Sequence, residues 1–559
     1  MNAGTPEKVN THKPKAPSTM STLKVHILII FFFLLSLSPN LVNTKSPHGH
    51  FQVARSTCQG AFYPDLCIST LASFPDLASE SLLEIIFGTL DRIADEVRAA
   101  SAHCTVMKNH FLAKLSILEW QAMDVCLELF GDILDDVASA VSYLEGSKPA
   151  ARRHYFDLQS LLSRMITHVY TCTDEFDPRT DNLKLGDSMK ERLSNVSRHV
   201  ANSLFFLKKL HGVKKTSGHG LREGFPAWMS SKDSQLMWTP TDATKFDLVV
   251  AKDGSGNFTS INDAVAAAPT HSKTRFVIYI KEGVYFEYVV VDSTKTNLMF
   301  VGDGIGKTSI RGNRNNVDGW STYLSATVIV QGNGFLAKGI TMENFSGPSK
   351  YQAVAFRSNS EKSAFFQCSF LGYQDTLYVH SGRQFYRDCE VYGTVDFVFG
   401  NAAVVFQNCS LYARKPNDKQ MNVFIVQGRY NLADKTGMSF LGCKFLAAPD
   451  LVPVQSSFKT FLGRPWKEFS TTVIIKSYID DLVDPAGWLE FNNTVGLSTL
   501  FYGEYLNSGP GSNTNGRVKW PGYKVIDSLA EASMFTVGSL IQGTQWLKDT
   551  GFPYYLGLK

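Results

Sequence analysis

One spacing restricts this chain more than anything else in it. Gln352 opens the apolar run Ala353-Val354-Ala355-Phe356, Gln374 and Asp375 open Thr376-Leu377-Tyr378-Val379, and Asp396 opens Phe397-Val398-Phe399. Gln374 stands as far from Gln352 as Asp396 stands from Gln374, a step of 22 in each case. Polar residues recurring at one period ahead of strand-like runs predict the stacked coils of a solenoid. Residues one coil apart then lie side by side at the strand spacing of roughly 4.8 Å. The spacing therefore predicts two amides and two carboxylates on one patch, a set able to do acid/base or nucleophilic chemistry.

A second repeat surrounds the first: Phe335-x-x-x-Gly339, Phe365-x-x-Cys368, Tyr386-x-x-Cys389, Phe406-x-x-Cys409 and Phe440-x-x-Cys443. The step from one Gly/Cys position to the next is shortest, and nearly constant, between Cys368, Cys389 and Cys409, and longer on either side. A near-constant step with occasional excess suggests coils carrying loop insertions on one side, the signature of an all-β parallel β-helix with inward side chains in ladders. The small residues read as core fillers at one ladder position. Cys389 and Cys409 fall on adjacent coils, at a separation that suits a disulfide.

The 559 residues exceed one ordinary domain, and the N-terminal part has a different pattern. Leu82, Ile86, Leu90, Ile93 and Val97 recur at helical spacing, as do Leu158, Leu162, Met165 and Val169. Residues 52–211 are expected to form an all-α four-helix bundle, in which Cys58 can pair with Cys67 and Cys126 with Cys172, leaving Cys104 single. Residues 212–245 read as a basic, Gly/Ser-rich linker open to proteolysis, and residues 246–559 as the β-helix. Ahead of the bundle, lysines precede the short apolar run Val25–Leu37. Residues 1–45 therefore read as a secretory signal peptide, with a signal anchor as the alternative. A formal charge of +4 and the lack of a long Lys/Arg run argue against nucleic acid as partner. No stable membrane association is expected once the signal is removed. No Cys/His spacing fits a metal site.

Other signals are weaker. Gly302–Thr308 resembles a phosphate loop but has three residues between Gly302 and Gly306 where four are needed, so it reads as a turn. His380 beside a strand reads as structural. Sequons stand at Asn195, Asn257, Asn344, Asn408 and Asn492. The Asp375/Asp396 pair has a bland alternative, two turn carboxylates capping neighbouring coils. Leu462-Gly-Arg464-Pro-Trp466 weighs against it by adding a cation and a flat apolar ring. An Arg beside two carboxylates favours one ionised, while repulsion and burial favour the other protonated.

These motifs closely resemble plant pectinesterases (pectin methylesterases), from Gly283-Val-Tyr285-Phe-Glu287 through QAVA, GYQDTLY, DFVFGN and LGRPW. The resemblance implies a right-handed parallel β-helix that hydrolyses the methyl esters of polygalacturonate in the plant cell wall, without a cofactor. It implies Asp396 as nucleophile, Asp375 as acid and then base, and Gln374 as transition-state stabiliser. Thr322, Gln352, Arg464 and Trp466 are implied as substrate contacts, and Cys389–Cys409 as a disulfide. The helical segment is similar to the pectinesterase-inhibitor domain that precedes many such enzymes, whose two bridges match Cys58–Cys67 and Cys126–Cys172. The resemblance thus implies a proenzyme with methyl-esterified pectin, inhibitor proteins and a processing protease as partners. The usual basic processing site is missing: its place reads Asp233-Ser-Gln-Leu-Met-Trp238. Cleavage near Lys214-Lys215 or Arg222, or none, remains open. An idle pectin-binding β-helix and an inhibitor acting through its bundle are the alternatives.

Overall fold

Inward aromatic rings hold the C-terminal region together. Phe365, Tyr386, Phe406 and Phe440 pair in register on successive coils. Their rings stack at centroid distances of 4.5, 4.6 and 4.7 Å. In this computed structural model, residues 47–145, 148–176, 181, 183–212, 246–492 and 494–558 are described. The expected signal segment, 1–45, and the linker positions 213–245 lie outside them.

Three sheets, of 11, 8 and 7 parallel strands, wind as a parallel β-helix. The first sheet runs from Leu248–Val250 to Tyr523–Val525; the second holds strands such as Ser369–Leu371, and the third Phe356–Ser358, Leu377–Val379 and Val398–Gly400. The central coils turn from the first sheet to the second through a single residue with left-handed backbone. Gln367 (φ 50°), Asp388 (φ 52°), Asn408 (φ 55°) and Gly442 (φ 64°) all do this. The repeat read from sequence is misaligned at its first member. Ala337, and not Phe335, pairs with Phe365, so Gly339 (φ 67°) occupies the left-handed corner rather than the cysteine ladder. Glycine suits that corner because it has no Cβ to clash.

The cysteines of the ladder are buried, as their reading as core fillers requires, but Cys389 and Cys409 are not bonded. Their thiols face backbone carbonyls instead: Cys389 Sγ lies 3.3 Å from Arg387 O, and Cys409 Sγ 3.5 Å from Tyr386 O. Stacked side chains on adjacent coils bring their sulfurs side by side, yet no bond joins them. This corrects the expected Cys389–Cys409 disulfide. Cys58–Cys67 and Cys126–Cys172 are both formed.

The helical region has four long helices, Leu82–His110, Ile117–Leu144, Tyr155–Asp174 and Leu185–His211, with shorter ones at Pro47–Thr57, Pro64–Ala72 and Lys148–Arg153. Two of the long ones begin with a capping box. Ser116 Oγ accepts from Glu119 N at 3.2 Å, and Ser116 N donates to Glu119 at 2.8 Å; Ser81 and Glu84 repeat the arrangement. Each box satisfies two of the N–H groups that a helix start leaves open. Val53–Lys559 is one compact unit. Within it, the bundle's core is continuous with Tyr378 and Phe399 on the outer face of the third sheet, and with Tyr323 and Val354 in the segments that lead into its strands. Asn344, one of the sequons, is buried and donates to Arg314 O and Val354 O, which leaves its amide no room for a glycan in the folded chain.

Truncating Phe406 to Ala opens the ring ladder between two neighbours. The expected cost is about 3–5 kcal/mol, measured as a lowered thermal midpoint for the β-helix transition, with the helical far-UV signal of the bundle less affected.

Candidate functional site

Strand pairing builds the site. Phe356 pairs with Leu377 and Leu377 with Val398, so each coil here is one residue shorter than the spacing read from sequence. Asp375 and Asp396 are therefore the true stacked pair. Gln374 precedes the pair by one position, and Ala353 N donates to Gln374 O at 3.2 Å, which places Gln352 on the adjoining coil. The equal spacing from Gln352 to Gln374 to Asp396 thus joins residues of two different ladder positions. Asp375 (φ 60°) and Asp396 (φ 55°) both have left-handed backbone, a conformation that Asp tolerates better than most residues. It lets each carboxylate leave the coil just before its strand starts.

Arg464 organises the charges. It enters from the strand Thr460–Gly463, and its Nε and Nη2 donate to the two oxygens of Asp396 at 2.8 and 2.5 Å. The planar fork matches the carboxylate. Phe491 lies 4.6 Å from the guanidinium on another side. Asp375 is 8% exposed and Asp396 7%. Burial, and then the neighbouring charge of Asp396, hold the Asp375 carboxyl well above the usual carboxylate range. Burial leaves Asp396 raised as well, but the Arg464 charge and its two hydrogen bonds oppose that rise, as they do not for Asp375 to the same degree. The two groups are thereby pushed apart: Asp396 is the member stabilised as an anion, and Asp375 the member that keeps its proton. Gln374 Oε1 is buried and has no hydrogen-bond partner, so its carboxamide has capacity to spare for a ligand.

The other expected residues lie around this centre. Trp466 packs edge-on to Phe399 with centroids 6.2 Å apart. A Cβ at Gly428 would come within 2.6 Å of the Trp466 ring, so only glycine lets the indole lie so close to the coil. Thr322 sits between two residues that the bundle holds: Ser321 N donates to Gln121 Oε1 at 2.9 Å, and Tyr323 Oη donates to Glu128 Oε1 at 2.9 Å. His380 is buried under the bundle, with Nε2 2.8 Å from Thr171 Oγ1 and its ring stacked on His168 at 5.5 Å. It is structural in this arrangement. Among the described residues, no group of three or more His, Cys, Asp or Glu could hold a metal ion.

Sequence reasoning missed a row on the outer face of the third sheet. Arg357 and Tyr378 pair across strands, as do Tyr378 and Phe399. Tyr378 and Phe399 stack at 4.2 Å, and the row continues to Trp466. Alternation carries the signal: in Phe356-Arg357-Ser358 and Leu377-Tyr378-Val379, the first residue faces in and the second faces out. The bundle covers this row. Tyr170 stacks on Tyr430 at 3.8 Å, Lys467 pairs with Asp174 at 2.9 Å, and Asn401 Nδ2 donates to Thr167 at 2.9 Å.

Because folding raises the Asp375 carboxyl above its unfolded value, the folded chain binds the extra proton. Asp375 therefore costs stability as pH rises above roughly 4, its unfolded value. Asp375→Asn should raise the thermal midpoint at pH 7 by roughly 2–4 °C for each kcal/mol gained. The gain should vanish below about pH 4 in a scan of the two proteins across pH.

Both regions match known families. The family model described as Pectinesterase matches residues 247–544. The model described as Plant invertase/pectin methylesterase inhibitor matches residues 52–205. A probable pectinesterase/pectinesterase inhibitor of Arabidopsis thaliana is 47% identical over 539 residues, covering 95% of this chain and 97% of its own. Pectinesterase 1 of Citrus sinensis is 43% identical, covering 91% of this chain and 89% of its own. The solved structure of a pectin methylesterase from carrot superposes with a TM-score of 0.56 at 52% identity, covering 56% of this chain and 99% of its own.

Proposed function

The chain belongs to the pectinesterase family, carboxylic ester hydrolases of pectin, and on that premise we propose that it cleaves galacturonate methyl esters through Asp396 and Asp375. The observation that carries the reading is the bidentate Arg464–Asp396 pair beside a second, proton-retaining carboxyl. Asp396 attacks the C6 carbonyl carbon of a methyl galacturonate. The carbonyl oxygen takes the charge, and the Gln374 and Gln352 carboxamides donate to it. The tetrahedral intermediate collapses, the bond to methoxide breaks, and Asp375 gives the departing oxygen its proton, so methanol leaves. Asp375, now ionised, takes a proton from water as the water oxygen attacks the acyl–Asp396 carbon. The free galacturonic acid departs, Asp396 is again an anion held by Arg464, and Asp375 again carries its proton. Thr322 and Trp466 bind the sugar chain, joined by Tyr378 and Phe399. Aromatic faces suit this work, since a sugar ring presents a flat apolar side to them.

The proposal extends to organisation and place. Residues 52–211 act as an inhibitory pro-domain, 212–245 as the segment that a protease cuts, and 246–559 as the catalytic unit, in a protein secreted to the plant cell wall. What supports inhibition is position: the bundle occupies the outer face of the third sheet, next to the aspartates and over Tyr378, Phe399 and Trp466. No described helix is long and apolar enough to cross a membrane.

Methanol release tests the chemistry. With a protease site introduced in the linker, the cleaved protein should release methanol from methylated pectin. Asp396→Asn should lower the rate by at least about 10³-fold; wild-type activity in that variant would exclude Asp396 as nucleophile. Arg464→Lys keeps the charge but loses the fork, and a loss of roughly tenfold or more is expected.

Titration of the interface gives a second test. Burial raises Asp132 to about 6, against Arg164 and Arg357 and helped by Glu128 and Asp135. Burial raises Asp136 to about 7, against Arg164 and with Asp132, Glu361 and Asp135 adding. Burial likewise raises Glu175 to about 7, opposed by Ser321 and Arg357 and helped by Asp174 and Glu128. These three acids thus hold protons when docked that they lose on release. His168 and His380, which burial holds well below the usual imidazole range, act in the opposite sense at acid pH, but the three acids outnumber them and the grip should weaken as pH rises towards 7. Asp157 works in the opposite sense. Against the cost of burial, Lys362 and Arg383 hold it down at about 2, so its contribution is lost only as pH falls through that value. After linker cleavage, the bundle should be retained at least about tenfold more tightly at pH 5 than at pH 8, read by gel filtration. Equal retention at both pH values would refute the titration.

A further inference from the structure

Among the described residues, Arg357 is the least satisfied buried cation of the β-helix. It is 1% exposed on the outer face of the third sheet, and its Nε and Nη1 have no hydrogen-bond partner. Its guanidinium lies 3.3 Å from the centre of the Tyr323 ring. The acids that act on it are Glu128, Asp132 and Glu175, and all three belong to the bundle; from the β-helix comes only the Tyr378 hydroxyl. One of these acids is seated in a cradle. Glu128 Oε1 accepts from Tyr323 Oη at 2.9 Å and from Gln331 Nε2 at 2.5 Å, and lies 3.7 Å from Arg357 Nη2. Tyr323 and Gln331 are themselves buried. The Glu128 side chain is 36% exposed, so the cradle opens to solvent at the edge of the bundle.

A buried cation without a counter-charge on its own domain is costly, and half-used donors add to the cost. The β-helix therefore carries three donors whose natural complement is a carboxylate, and the full chain supplies one from elsewhere. The donors adjoin the aromatic row: Tyr323 meets Tyr378 edge-on at 6.4 Å, and Tyr378 is the strand partner of Arg357. A carboxylate-bearing chain lying along that row would bring an acid group to the place that Glu128 fills.

We propose that Arg357, Tyr323 Oη and Gln331 Nε2 form a receptor for the free carboxylate of a de-esterified galacturonate, distinct from the ester-cleaving pair, and that Glu128 occupies it as a stand-in while the bundle is docked. This deepens the proposed function and rests on it for the class of polysaccharide. A methyl ester has no negative charge to offer the guanidinium, so the receptor distinguishes residues already processed from those still esterified. It also couples the bundle to the substrate, since both compete for the same three donors.

The test uses the linker-cleaved protein and two oligogalacturonates of equal length, one unmethylated and one fully methyl-esterified. Each is titrated against the docked bundle, and release is followed by gel filtration. The unmethylated oligomer should displace the bundle at a concentration at least roughly tenfold lower, as expected for one charge-assisted contact. Arg357→Gln should abolish that difference. Tyr323→Phe, which keeps the ring and removes one donor, should reduce it, and covers the case in which the Arg357 variant fails to fold. Equal displacement by the two oligomers, displacement by neither, or a difference that survives Arg357→Gln would each overturn the receptor. Methanol release from methylated pectin by the same cleaved protein is scored separately. A protein that discriminates the oligomers but releases no methanol keeps the receptor and refutes the proposed chemistry.

Discussion

Two carboxylates can be buried side by side here because one arginine holds one of them. Without Arg464, Asp375 and Asp396 would each meet the cost of burial, and their ionised forms would repel. With its two hydrogen bonds to Asp396, the fork favours a single charge on that residue and leaves the proton on Asp375. The asymmetry follows from position alone, since the residues are chemically identical and sit at equivalent points on successive coils. A proton-bearing and an ionised carboxyl are thereby distinguished before any substrate arrives, as the proposed acid and nucleophile require.

The β-helix makes that asymmetry durable. The pairing of Leu377 with Val398 brings Asp396 directly onto Asp375, and the inward ladder of Phe365, Tyr386, Phe406 and Phe440 fixes the coil spacing from behind. Register in a parallel sheet admits no small errors, because a slip of one residue exchanges the inner and outer faces. A slip here would turn Tyr378 and Phe399 into the core and Leu377 and Val398 out of it. The same pairing that packs the interior therefore places the outer row beside the aspartates.

Much of this was legible in the chain. Period, turn residues and apolar runs identify the solenoid, and helical spacing with Cys58, Cys67, Cys126 and Cys172 identifies the bundle. Legibility fell where geometry depends on single residues. The equal spacing from Gln352 through Gln374 to Asp396 merges two ladder positions, because counting cannot tell which residue turns the corner. Gly339 was read into the cysteine ladder for the same reason. Proximity suggested a bond between Cys389 and Cys409, yet spacing carries no information on thiol direction, and both sulfurs face carbonyls. Arg357 went unnoticed because its character comes from Glu128, Asp132 and Glu175, which stand in the other domain and far from it along the chain.

That distance bears on how the bundle could be both tightly held and released, as the proposed pro-domain role requires. Its core runs without a break into the outer face of the third sheet, and continuous apolar contact of this kind favours permanent association. Acids are buried in the same interface beside the β-helix cations, and their balance shifts with pH and with any competing anion. Apolar burial supplies contact area, but the acids decide when the contact can be given up. Tyr378, Phe399 and Trp466 would be an exposed patch on a bare β-helix, and such patches call for a partner. The bundle covers them in the full chain, and in the proposed function a sugar chain with flat faces and carboxylates covers them once the bundle is released. Under the proposed function, one surface serves two occupants because each brings apolar area and an acid to the same place.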